Sequence, residues 1–142
     1  MGPIAGRKDI IILIETHEHN GWKVPEFEGY KKISVWNKGT GAGKGHGGVT
    51  VLINEKWGGM VKVEKEDQNK QYIWMQIKEK EVTFRLASCY FAPKNSKIYK
   101  RGNLDSEDPY ASLKRDISLF SSQGEIILIG DFNARTTNNQ SL

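Results

Sequence analysis

Two apolar runs in this sequence stop on groups that can do oxygen chemistry. Asp9–Glu15 (DIIILIE) ends on Glu15 and Thr16, and Glu125–Gly130 (EIILIG) runs into Asp131, Phe132 and Asn133. In α/β proteins ligand chemistry collects where strands end and loops begin. A hard cation such as Mg²⁺ takes a few carboxylate oxygens and keeps several waters. Glu15 and Asp131 could form the mouth of such a site. Taken singly, each acid is equally a solvated turn residue. A third apolar run closes on Ser88-Cys89-Tyr90-Phe91-Ala92-Pro93, adding a phenol just before a proline that stops strand pairing.

Other motifs have weaker claims. Gly43-Lys44-Gly45 resembles a phosphate loop, but Gly45 stands where that loop needs Ser or Thr, and a strand rather than a helix follows. Gly43-x-Gly45-x-x-Gly48 satisfies a dinucleotide pattern literally, without the strand before it and the helix after it that would aim backbone amides at a pyrophosphate. The glycine-rich stretch 39–48, with Lys44 and His46 in it and Lys38 beside it, reads as a surface loop that could brush a polyanion. His17 and His19, beside Glu15 and Glu18, lack a distant third His or Cys to complete a zinc set and read as loop histidines.

The elements that must hold these groups follow from pattern. Asp9–Glu15 and Glu125–Gly130 are short, β-branched and non-alternating, as expected of strands buried on both faces. Tyr30–Trp36 is a further strand candidate. Gly48–Asn54, Val61–Glu64, Tyr72–Ile77 and Val82–Phe91 follow, three or four strands in series that suggest an antiparallel meander, with the charged segment Lys78–Glu81 as a hairpin turn. Asp108 and Pro109 suit the N-cap and first position of a helix. Tyr110, Leu113, Ile117 and Phe120 share one face of it, and Gly124 suits its C-terminal cap.

Composition bounds the remainder. A chain of 142 residues matches one domain large enough for a hydrophobic core without staples. The single cysteine, Cys89, excludes an internal disulfide and a cysteine-based zinc site, and suits a reducing compartment. The longest aliphatic run, Ile10–Ile14, is far below the roughly 20 residues of a membrane span, so no membrane partner is expected. A net charge of +4 permits a nucleic-acid partner without demanding one.

In chain order, Asp9–His17, Gly47–Leu52, Cys89–Pro93 and Gly130-Asp131-Phe132-Asn133-Ala134-Arg135 resemble the endonuclease/exonuclease/phosphatase superfamily. Within it, Glu15-Thr16-His17, the Tyr-x-Ala-Pro segment at Tyr90 and the segment Gly130–Arg135 are most similar to the endonuclease domain that precedes reverse transcriptase in non-LTR retrotransposons. The resemblance implies an α/β fold, a four-layered sandwich of the deoxyribonuclease I-like type with mixed sheets and outer helices. It implies Glu15 as ligand of a catalytic Mg²⁺ or Mn²⁺ and Tyr90 as a phosphate contact. It implies Asp131 as the residue that orients or deprotonates the attacking water, and Asn133 as a hydrogen-bond donor to phosphate or nucleophile. DNA is the implied substrate, a reverse transcriptase domain the implied neighbour in a parent polyprotein, and the implied setting is intracellular, with nuclear action following from the substrate.

The basic residues Lys94, Lys97, Lys100 and Arg101 could track a DNA backbone, or simply form a solvated charged loop. The superfamily pattern also has a first-strand Asn and a closing Asp-His pair, neither of which occurs in residues 1–142. The expectation is therefore a partial domain, with an apolar face left open and weak or absent nuclease activity. A phosphatase or lipid phosphodiesterase of the same fold and a non-catalytic binding remnant are the alternatives.

Overall fold

The computed structural model describes residues 8–37, 46–67, 70–93 and 108–134. Most of the glycine-rich stretch 39–48, together with Lys38, Lys94, Lys97, Lys100, Arg101 and Arg135, lies outside the described residues.

The chain forms two β-sheets and a helix, an α/β arrangement. The first sheet holds β1 (Ile10–Ile14), β2 (Tyr30–Asn37) and β3 (His46–Asn54) in the order β1-β3-β2, all antiparallel. A 3₁₀ turn, Glu55–Met60, capped by the Asn54 side chain on the Lys56 amide, leads out of it. The second sheet has the order β4-β5-β6-β7, formed by β4 (Val61–Glu66), β5 (Tyr72–Glu79), β6 (Val82–Tyr90) and β7 (Glu125–Asp131). Its first three strands form an antiparallel meander, whereas β7 runs parallel to β6. The helix α1 (Pro109–Ser121) lies on the chain path between them. Of the three or four strands expected in series, β4, β5 and β6 form the meander and β3 belongs to the other sheet. The 3₁₀ turn, with Gly58 and Gly59, breaks the ladder and sends β3 and β4 to different sheets.

Strand alternation gives each sheet two faces. Val49, Val51 and Ile53 of β3 and Val35 of β2 pack against Ile73, Met75 and Ile77 of β5 and Leu86 and Tyr90 of β6, forming the core between the sheets. The other face of the second sheet meets α1. Tyr72, Trp74, Ala87, Cys89 and Phe91 there bury Leu113 and Phe120, with Tyr110 and Ile117 at the margin. The expected helical stripe therefore faces the sheet. The Asp108 carboxylate accepts the Tyr110 amide, with Pro109 in the first turn, as the sequence suggested.

Polar groups under the helix are satisfied as a set. Asp116, 4% exposed, accepts hydrogen bonds from the Tyr72 hydroxyl at 2.9 Å and the Trp74 indole at 3.2 Å, and pairs with Lys65. The Tyr72 hydroxyl also lies 2.7 Å from the Ser112 hydroxyl. Arg85 bonds Glu64 through Nε (2.7 Å) and Nη2 (3.3 Å) while its guanidinium sits 4.9 Å from the Phe120 ring centre.

The two strands expected to be buried on both faces are instead edge strands. β1 is half-buried, and on β7 Ile127 and Ile129 remain 44% and 45% exposed. By register they share the face of Leu86, Ser88 and Tyr90, toward the gap between the sheets. Ile10, Ile12 and Ile14 of β1 line the same gap from the opposite sheet. Each strand has the composition of an interior strand and, among the described residues, a paired neighbour on one side only.

Candidate functional site

The parallel pairing of β6 with β7 brings their C-terminal ends together, with Tyr90 opposite Asp131 in the ladder. β1 reaches the same end of the molecule by another route. Beyond Ile14 the chain stays paired with the start of β3, the His17 amide donating to the Gly47 carbonyl at 2.8 Å. Gly47 in turn lies against Tyr90, since a Cβ placed there would stand 3.1 Å from the ring. An unbroken path of contacts thus links the turn Glu15–His17 through Gly47 and Tyr90 to Asp131.

The residues after β7 are held tightly. Asn133 has φ +44°, its amide donates to Asp131 Oδ1 at 2.8 Å, and its side-chain Nδ2 donates to the Phe91 carbonyl at 2.6 Å. The Phe91 amide donates to the Asp131 carbonyl at 2.9 Å, and Phe132 packs edge-on against Phe91. The Tyr110 hydroxyl donates to the Phe132 carbonyl, tying the segment to α1. Gly130 is required by space. A Cβ at this position would fall 1.8 Å from the Cys89 carbonyl oxygen, with φ at +150°.

Glu15 and His17 also occupy the left-handed region, at φ +56° and +55°. For non-glycine residues this conformation costs roughly 1–2 kcal/mol, and such residues gather at functional sites. The Glu15 carboxylate is exposed, 3.7 Å from His17 Nε2. Asp131 is exposed as well, whereas Tyr90 is buried in the inter-sheet core.

Open carboxylate oxygens at Glu15 and Asp131 have the donor chemistry of a hydrated Mg²⁺ or Mn²⁺ ion, which needs only one or two protein carboxylates. Among the described residues, no three His, Cys, Asp or Glu side chains form a metal-holding group. Cys89, paired with Gly130, is no nucleophile. Burial, reinforced by the charge of Asp67, pushes its thiol up to about 12, leaving it protonated near neutrality.

Sequence reasoning missed Glu18. This carboxylate is 1% exposed, accepting the Thr50 hydroxyl at 2.7 Å and the Val24 amide at 3.0 Å, with the Thr16 hydroxyl at 3.5 Å. Thr50 is itself 2.8 Å from the Ser34 hydroxyl. Glu18 thereby fastens the segment that follows β1 onto the outer face of the first sheet. Its neighbours, His17 and His19, read as exposed loop residues, and nothing local marked the acid between them as buried. The only signal was Thr50, a hydroxyl within the apolar run Val49–Ile53.

No protein-family profile and no curated protein sequence matches this chain.

Proposed function

We propose that this chain is a metal-dependent DNA-nicking endonuclease domain of the deoxyribonuclease I-like, retrotransposon type. The observation that carries the reading is the convergence of the ends of β1, β6 and β7, which bear Glu15, Tyr90 and Asp131, with Asn133 fixed beside them. Glu15 would hold a Mg²⁺ or Mn²⁺ ion, which when bound supplies Lewis-acid stabilisation of charge on a phosphate oxygen.

Asp131 orients the attacking water and accepts its proton. The water oxygen bonds to phosphorus as the P–O3′ bond breaks, the departing oxygen takes a proton from solvent water to become a 3′-hydroxyl, and Asp131 returns its proton to solvent. Asn133 and Tyr90 hydrogen-bond the phosphate, where neutral donors favour the charge that builds during displacement. Asn133 is pre-set for this task by its two hydrogen bonds, so it loses little freedom when substrate arrives.

Two measurements test the assignment. Titration calorimetry is expected to show Mg²⁺ binding that Glu15→Ala removes. Hydrolysis of supercoiled DNA, compared with that of phosphoinositides, is expected to favour DNA. Preference for the lipid would make this a phosphatase-type member of the same fold. Absence of Glu15-dependent metal binding would make it a non-catalytic module.

A further inference from the structure

The segment that follows Glu15 presents an indole to solvent. His19-Asn20-Gly21-Trp22 closes a tight turn in which the His19 amide donates to the Trp22 carbonyl (3.0 Å) and the Trp22 amide donates to the His19 carbonyl (3.1 Å). Asn20 and Gly21 stand at its two central positions, neither with a positive φ. Its base is fixed as well. Val24 is buried and its amide is bound by the buried Glu18 carboxylate, so the turn stands on an anchored stem.

Trp22 is nevertheless 47% exposed. A single exposed apolar side chain needs no explanation in general. Here, however, the largest side chain is displayed on a rigid turn, and the turn is coupled to the candidate site. Nδ1 of His19 lies 3.1 Å from the His17 carbonyl, and His17 Nε2 lies 3.7 Å from Glu15. The next residue in sequence, Lys23, places its ammonium 3.1 Å from the ring centre of Trp36.

An exposed aromatic plane with a lysine next to it in sequence offers unpaired nucleobases a stacking surface, because every base has a π-face and the backbone is anionic. We infer that Trp22 is a base-stacking platform for single-stranded or unpaired DNA at the edge of the Glu15 site. The inference rests on the nucleic-acid reading above and adds a preference for bases that are out of the duplex. Because two backbone hydrogen bonds close the turn, less backbone freedom is lost on stacking, and the contact adds affinity without taking part in the chemistry. Trp22 is a binding residue.

The test uses the full chain in EDTA, so that binding is read apart from cleavage. The probes are a fluorescein-labelled mixed-sequence 12-nucleotide single strand and its duplex, followed by anisotropy. Trp22→Ala is expected to weaken single-strand binding roughly ten- to hundredfold, to change duplex binding much less, and to leave the circular dichroism spectrum unchanged. Trp22→Tyr is expected to restore most of the loss. Equal single-strand affinity in the wild type and Trp22→Ala overturns the stacking role, as does failure of the wild type to bind the single strand. If Mg²⁺-dependent nicking of plasmid persists in either case, the endonuclease reading stands and this inference alone fails.

Discussion

At the scale of single residues, backbone strain and steric demand mark the site more clearly than charge does. Glu15 sits at φ +56° at the end of β1 with its carboxylate in water, so the fold holds it in a conformation that glycine would adopt without penalty. Glu15→Gly is expected to stabilise the chain by about 1 kcal/mol in urea denaturation while abolishing Mg²⁺ binding. No gain in stability would refute the strain argument. Gly130→Ala is expected to have the opposite effect. Its new methyl meets backbone rather than a movable side chain, so a loss above about 4 kcal/mol, or no soluble protein at all, should follow. Glu18→Ala is expected to cost about 1–3 kcal/mol by leaving the Val24 amide and Thr50 hydroxyl without their acceptor. The acids at strand ends were legible as chemistry because they interrupt apolar runs. Glu18 was not, because burial of an acid is decided by partners distant in sequence.

At the scale of elements, legibility followed locality. The helix could be read from its Asp108 cap and apolar stripe, which are properties of neighbouring residues, although its C-terminal cap is Ser122 rather than the expected Gly124; the β4-β5-β6 meander could be read because its connections are short. The division between β3 and β4 was not apparent, since whether two consecutive strands pair or part depends on the 3₁₀ turn between them. β1 and β7 were read as interior strands from their composition, but composition reports which surface a strand could bury, not whether a neighbour is there to bury it. Asp116 shows the same limit on the helix. An acid on an apolar face looks like an interruption, yet it is the acceptor that satisfies Tyr72 and Trp74. Asp116→Ala is expected to cost about 3 kcal/mol, from the orphaned Trp74 indole and the lost charged partner of Tyr72 and Lys65, each worth roughly 1–3 kcal/mol, measured by chemical denaturation. A cost below about 1 kcal/mol would mean that the network is replaceable.

At the scale of the whole molecule, two apolar edges open on one inter-sheet gap, and acids bracket both: Asp9 and Glu15 on β1, Glu125 and Asp131 on β7. Antiparallel self-pairing of β7 would set Glu125 opposite Asp131 of the second copy, and like charges facing each other across strands repel. Glu125→Lys should therefore promote dimerisation, read by sedimentation velocity as a larger sedimentation coefficient at equal concentration. Alkaline pH supplies another whole-molecule test. Burial raises the Tyr72 hydroxyl well above its usual range and the Cys89 thiol to about 12 from 9.0. The unfolded chain then loses protons that the folded chain keeps, so stability is full below pH 9 and falls as pH rises from 9 to 12. Cys89→Ala is expected to flatten that decline.

The central claim is that Glu15, Tyr90, Asp131 and Asn133 form one metal-dependent phosphodiesterase site, and plasmid nicking tests it most directly. The wild-type chain is expected to convert supercoiled plasmid slowly to open circles with Mg²⁺ or Mn²⁺ and not in EDTA, with Asp131→Ala lowering the rate roughly 10²–10⁴-fold. Absence of metal-dependent nicking, or nicking undiminished in Asp131→Ala, would contradict it.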